Sequence, residues 1–164
     1  MCRDHEAAAV TSFDNLRIVN ADSANGDEDN PDPHAFELDE RIANAAANGR
    51  ETWLLTHRPP LAYLRAHASA DPNGSHIAAI IAGHIHMFAA IPFAGAPPTI
   101  LVGTGGDTLD RWYPEVSAVP HAVGEARFGY AIFDRTADGW TISERDPEGS
   151  EHRRCILSKR TIHC

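Results

Sequence analysis

The spacing of apolar and polar residues predicts short strands in the first half of the chain, with one helix between them. Three runs of apolar and β-branched residues have the length of single strands, at 15–21, 51–56 and 76–82. Between the first two runs, Asp32 and Pro33 provide a helix cap and a first-turn proline. Apolar residues then recur at helical spacing from Phe36 to Ala46, and Gly49 stands where a glycine ends many helices. These signals predict a β–α–β arrangement.

The second half of the chain predicts strands joined by tight turns. Five runs each have the character of one strand, at 87–93, 99–102, 127–135, 140–145 and 153–158. A hairpin turn is predicted at 137–139. The order of elements is α/β first and mostly β afterwards, which favours an α/β (α+β) fold class. Since 164 residues is the length of one domain, we expect residues 1–164 to form a single domain.

The composition is that of a globular protein without membrane spans. Hydrophobic residues make up 43% of the chain. No apolar run reaches the roughly 18 residues that a membrane-spanning helix needs. Charges stand where a secretion signal would have its apolar segment, and Cys2, Cys155 and Cys164 form no C-x-x-C motif. We therefore expect a cytoplasmic, reducing location by default, unless the natural start lies upstream of Met1.

The charge balance limits the class of partner. A net charge of −9 argues against binding to a nucleic-acid backbone, which requires a surplus of lysine and arginine on one face. The basic residues are scattered except near the C-terminus, where Arg153 and Arg154 are followed by Lys159 and Arg160. A solvated surface explains this cluster about as well as a functional role does.

Three histidines follow predicted buried strands and carry the chemistry that the sequence suggests. His57 directly follows the second predicted strand, and His84 and His86 follow the third. Residues two apart in an extended segment point to the same side, so His84 and His86 could meet one metal ion or two neighbouring ions. Gly83 would permit the sharp bend that exposes both rings. A solvated loop residue is the alternative for His57, but two such strand ends in one small domain favour a metal site.

Two sequence segments together resemble a known family. The segments W-L-L-T-H-R-P-P at 53–60 and I-I-A-G-H-I-H-M-F at 80–88 are similar to the C-terminal half of calcineurin-like metallophosphoesterases. The segments 102–110 and 128–130 also resemble the closing loops and strands of that family. The resemblance covers roughly residues 15–145. It implies a partial sandwich of two mixed β-sheets with flanking helices, ending in antiparallel strands.

The resemblance implies a metal-dependent phosphoesterase that hydrolyses phosphoric esters with a metal-activated hydroxide. Two divalent cations (Mn, Fe or Zn), about 3.5–4 Å apart, would stabilise the attacking and leaving oxygens. His57 and His84 would bind one ion, and His86 would bind the other. The substrate would be a phosphate-ester small molecule or a phosphoprotein. The loop residues expected to bind it are Gly105, Gly106 and Asp107, for which an ordinary glycine turn is the alternative.

The family's other metal motifs are missing or altered. Its early Asp-x-His and Gly-Asp motifs have no counterpart in these residues. The segment R-D-H-E at 3–6 resembles an altered form of the third motif, Gly-Asn-His, with Arg in place of Gly and Asp in place of Asn. By this match Asp4 would be a metal ligand. His5 would be the catalytic residue that donates a proton to the leaving group or stabilises its charge.

The count of ligands implies an impaired site. His86 would be the single remaining ligand of its ion, whereas His57, His84 and Asp4 could form a three-ligand open site of the kind that catalytic zinc uses. The domain would therefore be incomplete, either truncated or degenerate, and we favour truncation because 80–88 keeps the family pattern. Uncovered sheet edges would make self-association possible. The alternative function is a non-catalytic metal- or ligand-binding or interaction module.

Overall fold

Two β-sheets account for most of the regular structure in the computed structural model. The structure describes residues 9–21, 49–61, 76–106, 108–111 and 114–164, together with Ala43, Asn44 and Ala47. Within this part of the chain, no helix has the length and apolar character that crossing a bilayer requires. The expected two-sheet α/β (α+β) class is confirmed, with β-structure dominating.

The first sheet is mixed and has seven strands. In chain order they are β1 (Ala9–Phe13), β2 (Leu16–Ala21), β3 (Glu51–Thr56), β4 (Ile77–Ala82), β5 (Phe88–Ile91), β6 (Thr99–Val102) and β7 (Val123–Glu125). Their order across the sheet is β1-β2-β3-β4-β6-β5-β7. Strands β2, β3, β4 and β6 run parallel, and the outer neighbours are antiparallel. The carboxyl ends of the parallel strands therefore meet at one edge of the sheet.

The second sheet is an antiparallel meander of four strands. They are β8 (Tyr130–Thr136), β9 (Gly139–Arg145), β10 (Glu151–Ser158) and β11 (Thr161–His163), in the order β11-β10-β9-β8. A short helix, α1 (Pro114–Ser117), precedes β7. The sequence predicted β9 and β10 closely, but it missed β11 and placed the start of β8 three residues early.

The core between the sheets is built around aromatic residues. The ring of Trp53 on β3 lies 4.6 Å from Trp140 and 5.5 Å from Phe133, measured between ring centroids. The same cluster contains the fully buried Ile100 and Ile142. Burying each such side chain stabilises the fold by about 1.5–3 kcal/mol. These contacts fix the second sheet against β3.

The parallel strands are also covered on their other face. Val19, Leu54 and Ile80 are inaccessible to solvent and pack in one cluster with Ala43, which lies in a helical segment. Strands buried on both faces appear in the sequence as continuous apolar runs. This explains why β2, β3 and β4 were predicted to within one residue.

A disulfide closes the end of the chain. Cys155 on β10 is bonded to Cys164, with an S–S distance of 2.02 Å. The ladder pairs Ile156 with His163, so one further step of the register brings the two cysteines opposite each other. The cysteine count gave no indication of this pair, because its formation depends on the reversal of the chain between β10 and β11.

Glu144 is a buried carboxylate between the sheets. It lies on the same face of β9 as Ile142 and is 3% exposed. Neither of its carboxylate oxygens makes a hydrogen bond to any residue that the structure describes, and the nearest cation is Arg153, whose Nε lies 3.6 Å away. Burial, with the neighbouring Glu125 carboxylate second, raises the pKa of Glu144, and Arg153 partly opposes the rise.

We predict that Glu144→Gln stabilises the protein increasingly as the pH rises. A raised folded-state pKa means that the favourable contribution of Glu144 is present in acid and is lost as the pH rises through that pKa. The free energy of unfolding of the variant should therefore exceed that of the parent at neutral pH and approach it in acid. Urea unfolding across the pH range measures this. Glu148→Gln, at an exposed turn, is the control, and a constant difference for Glu144→Gln would contradict the prediction.

Candidate metal centre

His57 and His84 lie beside each other at the carboxyl ends of two adjacent parallel strands. His57 follows the last residue of β3, and His84 lies two residues after the end of β4, in a register that pairs Thr56 with Ala82. Their ring centroids are 5.1 Å apart, and the ring planes are inclined by 65°. The sequence prediction that these two strand ends bring histidines together agrees with this geometry.

The backbone bends sharply at His84. Its φ angle is 60°, in the left-handed region that histidine adopts rarely. The N–H of Ile85 donates to the carbonyl of Gly83 at 2.7 Å, which closes a tight turn around His84. The expectation that Gly83 provides the bend is therefore wrong, because the bend lies at the next residue, His84. The bend also ends the extended geometry from which His84 and His86 were expected to face the same side.

His86 is held by the loop that follows β6. Its Nδ1 lies 2.8 Å from the carbonyl oxygen of Thr108, and because a carbonyl only accepts, Nδ1 is the donor. Its backbone N–H donates to Asp110 Oδ2 at 2.7 Å, and the N–H of Asp110 donates to the carbonyl of His86 at 3.0 Å. This pattern assigns the lone pair of the ring to Nε2, the arrangement that metal-ligating histidines use.

Gly103 lets this loop approach the histidine turn. A Cβ atom at Gly103 would lie 2.2 Å from the carbonyl oxygen of Ile85, closer than any real contact. Next in the chain, Thr104 Oγ1 donates to the carbonyl of Gly129 at 3.0 Å, and the N–H of Gly129 donates to the carbonyl of Thr104 at 3.2 Å. The loop is thereby fixed both to the histidine turn and to the chain that enters β8.

Two of the predicted substrate-binding residues, Gly105 and Gly106, lie at the outer side of the same loop. Gly105 and Gly106 are exposed, and a Cβ atom at either would contact nothing within 4 Å. Gly106 has a φ of 131°, which requires glycine. Asp107, Asp4 and His5 lie outside the described residues. The binding role of the loop and the catalytic role of His5 stay predictions.

The groups that orient His86 were not predicted from the sequence. Thr108 acts through its backbone carbonyl, which no side-chain pattern reveals. Asp110 lies within the segment 102–110 that resembles the family, but it was not assigned a role. In the sequence, Asp110 is a lone carboxylate in a loop, and such residues are common at any protein surface.

The separation between the His57 and His84 rings suits one shared metal ion, but the two rings alone do not make a complete site. With a metal–nitrogen bond of about 2.1 Å, two imidazoles on one tetrahedral ion have ring centroids roughly 5 Å apart. The separation of 5.1 Å between His57 and His84 agrees with this value. Among the residues that the structure describes, however, no three His, Cys, Asp or Glu side chains come together as a metal-binding group. The pair would need at least one further ligand.

We predict that Gly103→Ala destabilises the protein by about 1–3 kcal/mol, because the new methyl group forces the loop away from Ile85. Gly105→Ala is the matched control two residues away. It has open space around it, so its stability should be unchanged or raised by up to about 1 kcal/mol. Urea unfolding followed by tryptophan fluorescence measures both. Equal unfolding midpoints for the two variants would contradict the packing of this loop.

Comparison with solved structures identifies the fold. The structure of a purple acid phosphatase isolated from yellow lupin (Lupinus luteus) seeds superposes with a TM-score of 0.60 at 15% sequence identity, over 90% of this chain and 32% of that chain. No family model matches the chain. No curated protein matches it either. Purple acid phosphatases are calcineurin-like metallophosphoesterases, so the resemblance seen in the sequence extends to the fold, and this chain spans about a third of the phosphatase.

Proposed function

We propose that this chain forms part of a metal-dependent phosphoesterase. The observation that carries the proposal is the contact between His57 and His84 at the ends of adjacent parallel strands, at a separation that suits a shared ion. Sites in sheets with parallel strands form at this edge, where loops leave a rigid scaffold. The likeness of the fold to a purple acid phosphatase supports the same reaction class.

In this proposal His57 and His84 hold one divalent cation, and His86 contributes to a second. Manganese, iron and zinc all accept imidazole together with carboxylate ligands. A bound ion of this kind lowers the pKa of its water and polarises a phosphoryl oxygen. The remaining ligands come from Asp4, from chain outside the described residues, or from a second chain.

The chain's own residues would orient the reaction. The hydrogen bond from His86 Nδ1 to Thr108 fixes the ring, so that Nε2 can act as a ligand without reorganisation. Asp110 holds the backbone of His86 from both sides. Gly105, Gly106 and Asp107 would bound the space for a phosphate ester, and His5 would deliver a proton to the leaving oxygen. The substrate class is a phosphorylated small molecule or a phosphoprotein.

The second candidate is a non-catalytic metal-binding or interaction module. It is favoured by the ligand count, since two histidines with no third donor among the residues that the structure describes hold an ion weakly. It is also favoured by β1, an edge strand whose five residues are all exposed, including Val10 at 47% and Phe13 at 59%. An exposed apolar edge strand offers pairing to a second chain.

We predict that the purified chain hydrolyses a chromogenic phosphodiester when manganese is added and loses this activity on chelation. His84→Ala should lower the rate about 100-fold or more, because it removes half of the histidine pair. His76→Ala is the matched control: His76 is exposed and precedes the same strand, so its rate should equal that of the parent. Release of the coloured product measures the rate.

Calorimetric titration with manganese separates the two candidate functions. Binding that His84→Ala abolishes, without turnover in the parent, would replace the phosphoesterase proposal with the metal-binding module. The absence of both binding and turnover in a folded sample would overturn the metal site altogether. Turnover equal in the parent and in His84→Ala would assign the activity to other residues.

A further inference from the structure

A cavity, which we call the basic cavity, lies at the end of the first sheet opposite to the histidines. It has a volume of about 300 Å³ and opens between the turn after β8 and the turn after β10. Its polar lining residues include Glu51, Arg135, Asp138, Ser158, Lys159 and Arg160. Glu51 begins β3 and His57 follows its end, so the two regions are separated by the length of the strand, roughly 20 Å. The proposed phosphoesterase function assigns this cavity no role.

Arg135 contacts two neighbouring side chains at the wall of this cavity. Its guanidinium lies 5.3 Å from the centroid of the Trp140 ring, and its Nη2 lies 3.9 Å from Glu51 Oε2. Glu51 Oε1 accepts hydrogen bonds from the indole N–H groups of Trp53 and Trp140, at 3.1 and 2.8 Å. The negative charge of Glu51 is therefore already compensated by Arg135 and two donors.

The turn between β10 and β11 presents two more cations. Lys159 is the single lysine of the chain, and Arg160 follows it. Both have left-handed backbones, with φ angles of 46° and 64°, in a two-residue hairpin turn that normally selects Asn and Gly. Long basic side chains are conformationally unfavourable there, and an outlier of this kind points to a functional constraint.

Covalent and polar contacts hold the turn rigid. The Cys155–Cys164 disulfide ties the two strands of the hairpin together at its far end. Ser158 Oγ donates to the carbonyl of Asp138 at 2.7 Å, which joins the turn to the one between β8 and β9. The cavity walls are thus preorganised, and preorganisation reduces the entropic cost of binding a ligand.

We propose that this cavity binds a phosphate-type oxyanion, either inorganic phosphate or the phosphate group of a small molecule. The lining carries three cations, Arg135, Lys159 and Arg160, against the two carboxylates of Glu51 and Asp138, so its net charge is +1, and guanidinium groups pair well with phosphate oxygens. Asp138 is the carboxylate in the lining that opposes the ligand. A cavity of about 300 Å³ admits a phosphate with a small substituent, whereas it excludes a folded partner.

The test is a titration of the chelator-treated protein with inorganic phosphate at constant ionic strength, followed by backbone amide NMR. We expect saturable shifts at residues 135–136 and 158–161, with a dissociation constant in the millimolar range, and no shifts at 84–88. His84→Ala should bind phosphate as the parent does, so this result is independent of catalysis. Shifts confined to 84–88, or no saturation, would overturn the proposal.

A variant can remove the cations and keep the turn. Lys159→Asn combined with Arg160→Gly creates the Asn-Gly pair that suits this turn, so the hairpin should remain folded while phosphate affinity falls about tenfold or more. Arg154→Gln is the control, because Arg154 is exposed on β10, the strand that leads into this turn, and pairs with Glu151 outside the cavity. Unchanged affinity in the double variant would contradict the assignment.

Two further measurements refine the ligand. Asp138→Asn removes the opposing carboxylate, so phosphate affinity should rise several-fold, and a fall would contradict the assigned geometry.

Phenyl phosphate is titrated beside inorganic phosphate. Tighter binding of the ester supports a phosphorylated small molecule as the occupant, and equal or weaker binding supports free phosphate.

Discussion

The carboxylate of Glu51 joins the two sheets by polar contacts, and the two candidate sites lie at opposite ends of the strand that it begins. It accepts an indole N–H from Trp53 on its own strand and another from Trp140 on the second sheet, and it faces Arg135. A partly buried carboxylate with donors from both sheets resists any sliding of one sheet over the other. Since β3 begins at Glu51 and ends before His57, the same contact fixes the basic cavity at one end and the histidine pair at the other.

Buried strands were easier to predict from the sequence than exposed ones. Strands β3 and β4 are covered on both faces, so they form continuous apolar runs that the sequence marks clearly. Strand β1 is fully exposed and has no apolar alternation, and nothing in its sequence separates it from a loop. Strand β11 follows a turn without glycine or asparagine, which removed the hairpin signal. The three-residue strand β7, which pairs with β5, was not predicted either. Tertiary pairing, rather than local preference, creates these three strands.

The proximity of the histidine side chains could be predicted from the sequence, whereas the backbone conformation around them could not. Strand ends in a parallel sheet meet at one edge, so the proximity of His57 and His84 follows from the strand order alone. The left-handed bend at His84 and the carbonyl of Thr108 that fixes His86 have no signature in residue type. Such backbone arrangements depend on the close packing of Gly103 against the histidine turn, a contact that the three-dimensional structure reveals.

The charges at the two ends of β3 imply different ways of binding phosphate. The chain carries a net charge of −9, so an anion approaching it is repelled except where cations are concentrated. At the basic cavity, the three cations Arg135, Lys159 and Arg160 outnumber the two carboxylates of Glu51 and Asp138. At the histidine edge, in the proposed function, the attraction for a phosphate ester comes from the bound cations. In these proposals, metal binding would precede substrate binding at the histidine edge, whereas the basic cavity would bind phosphate without a metal. A chelator should therefore affect ligand binding at the histidine end of β3 and leave phosphate binding at the cavity end unchanged.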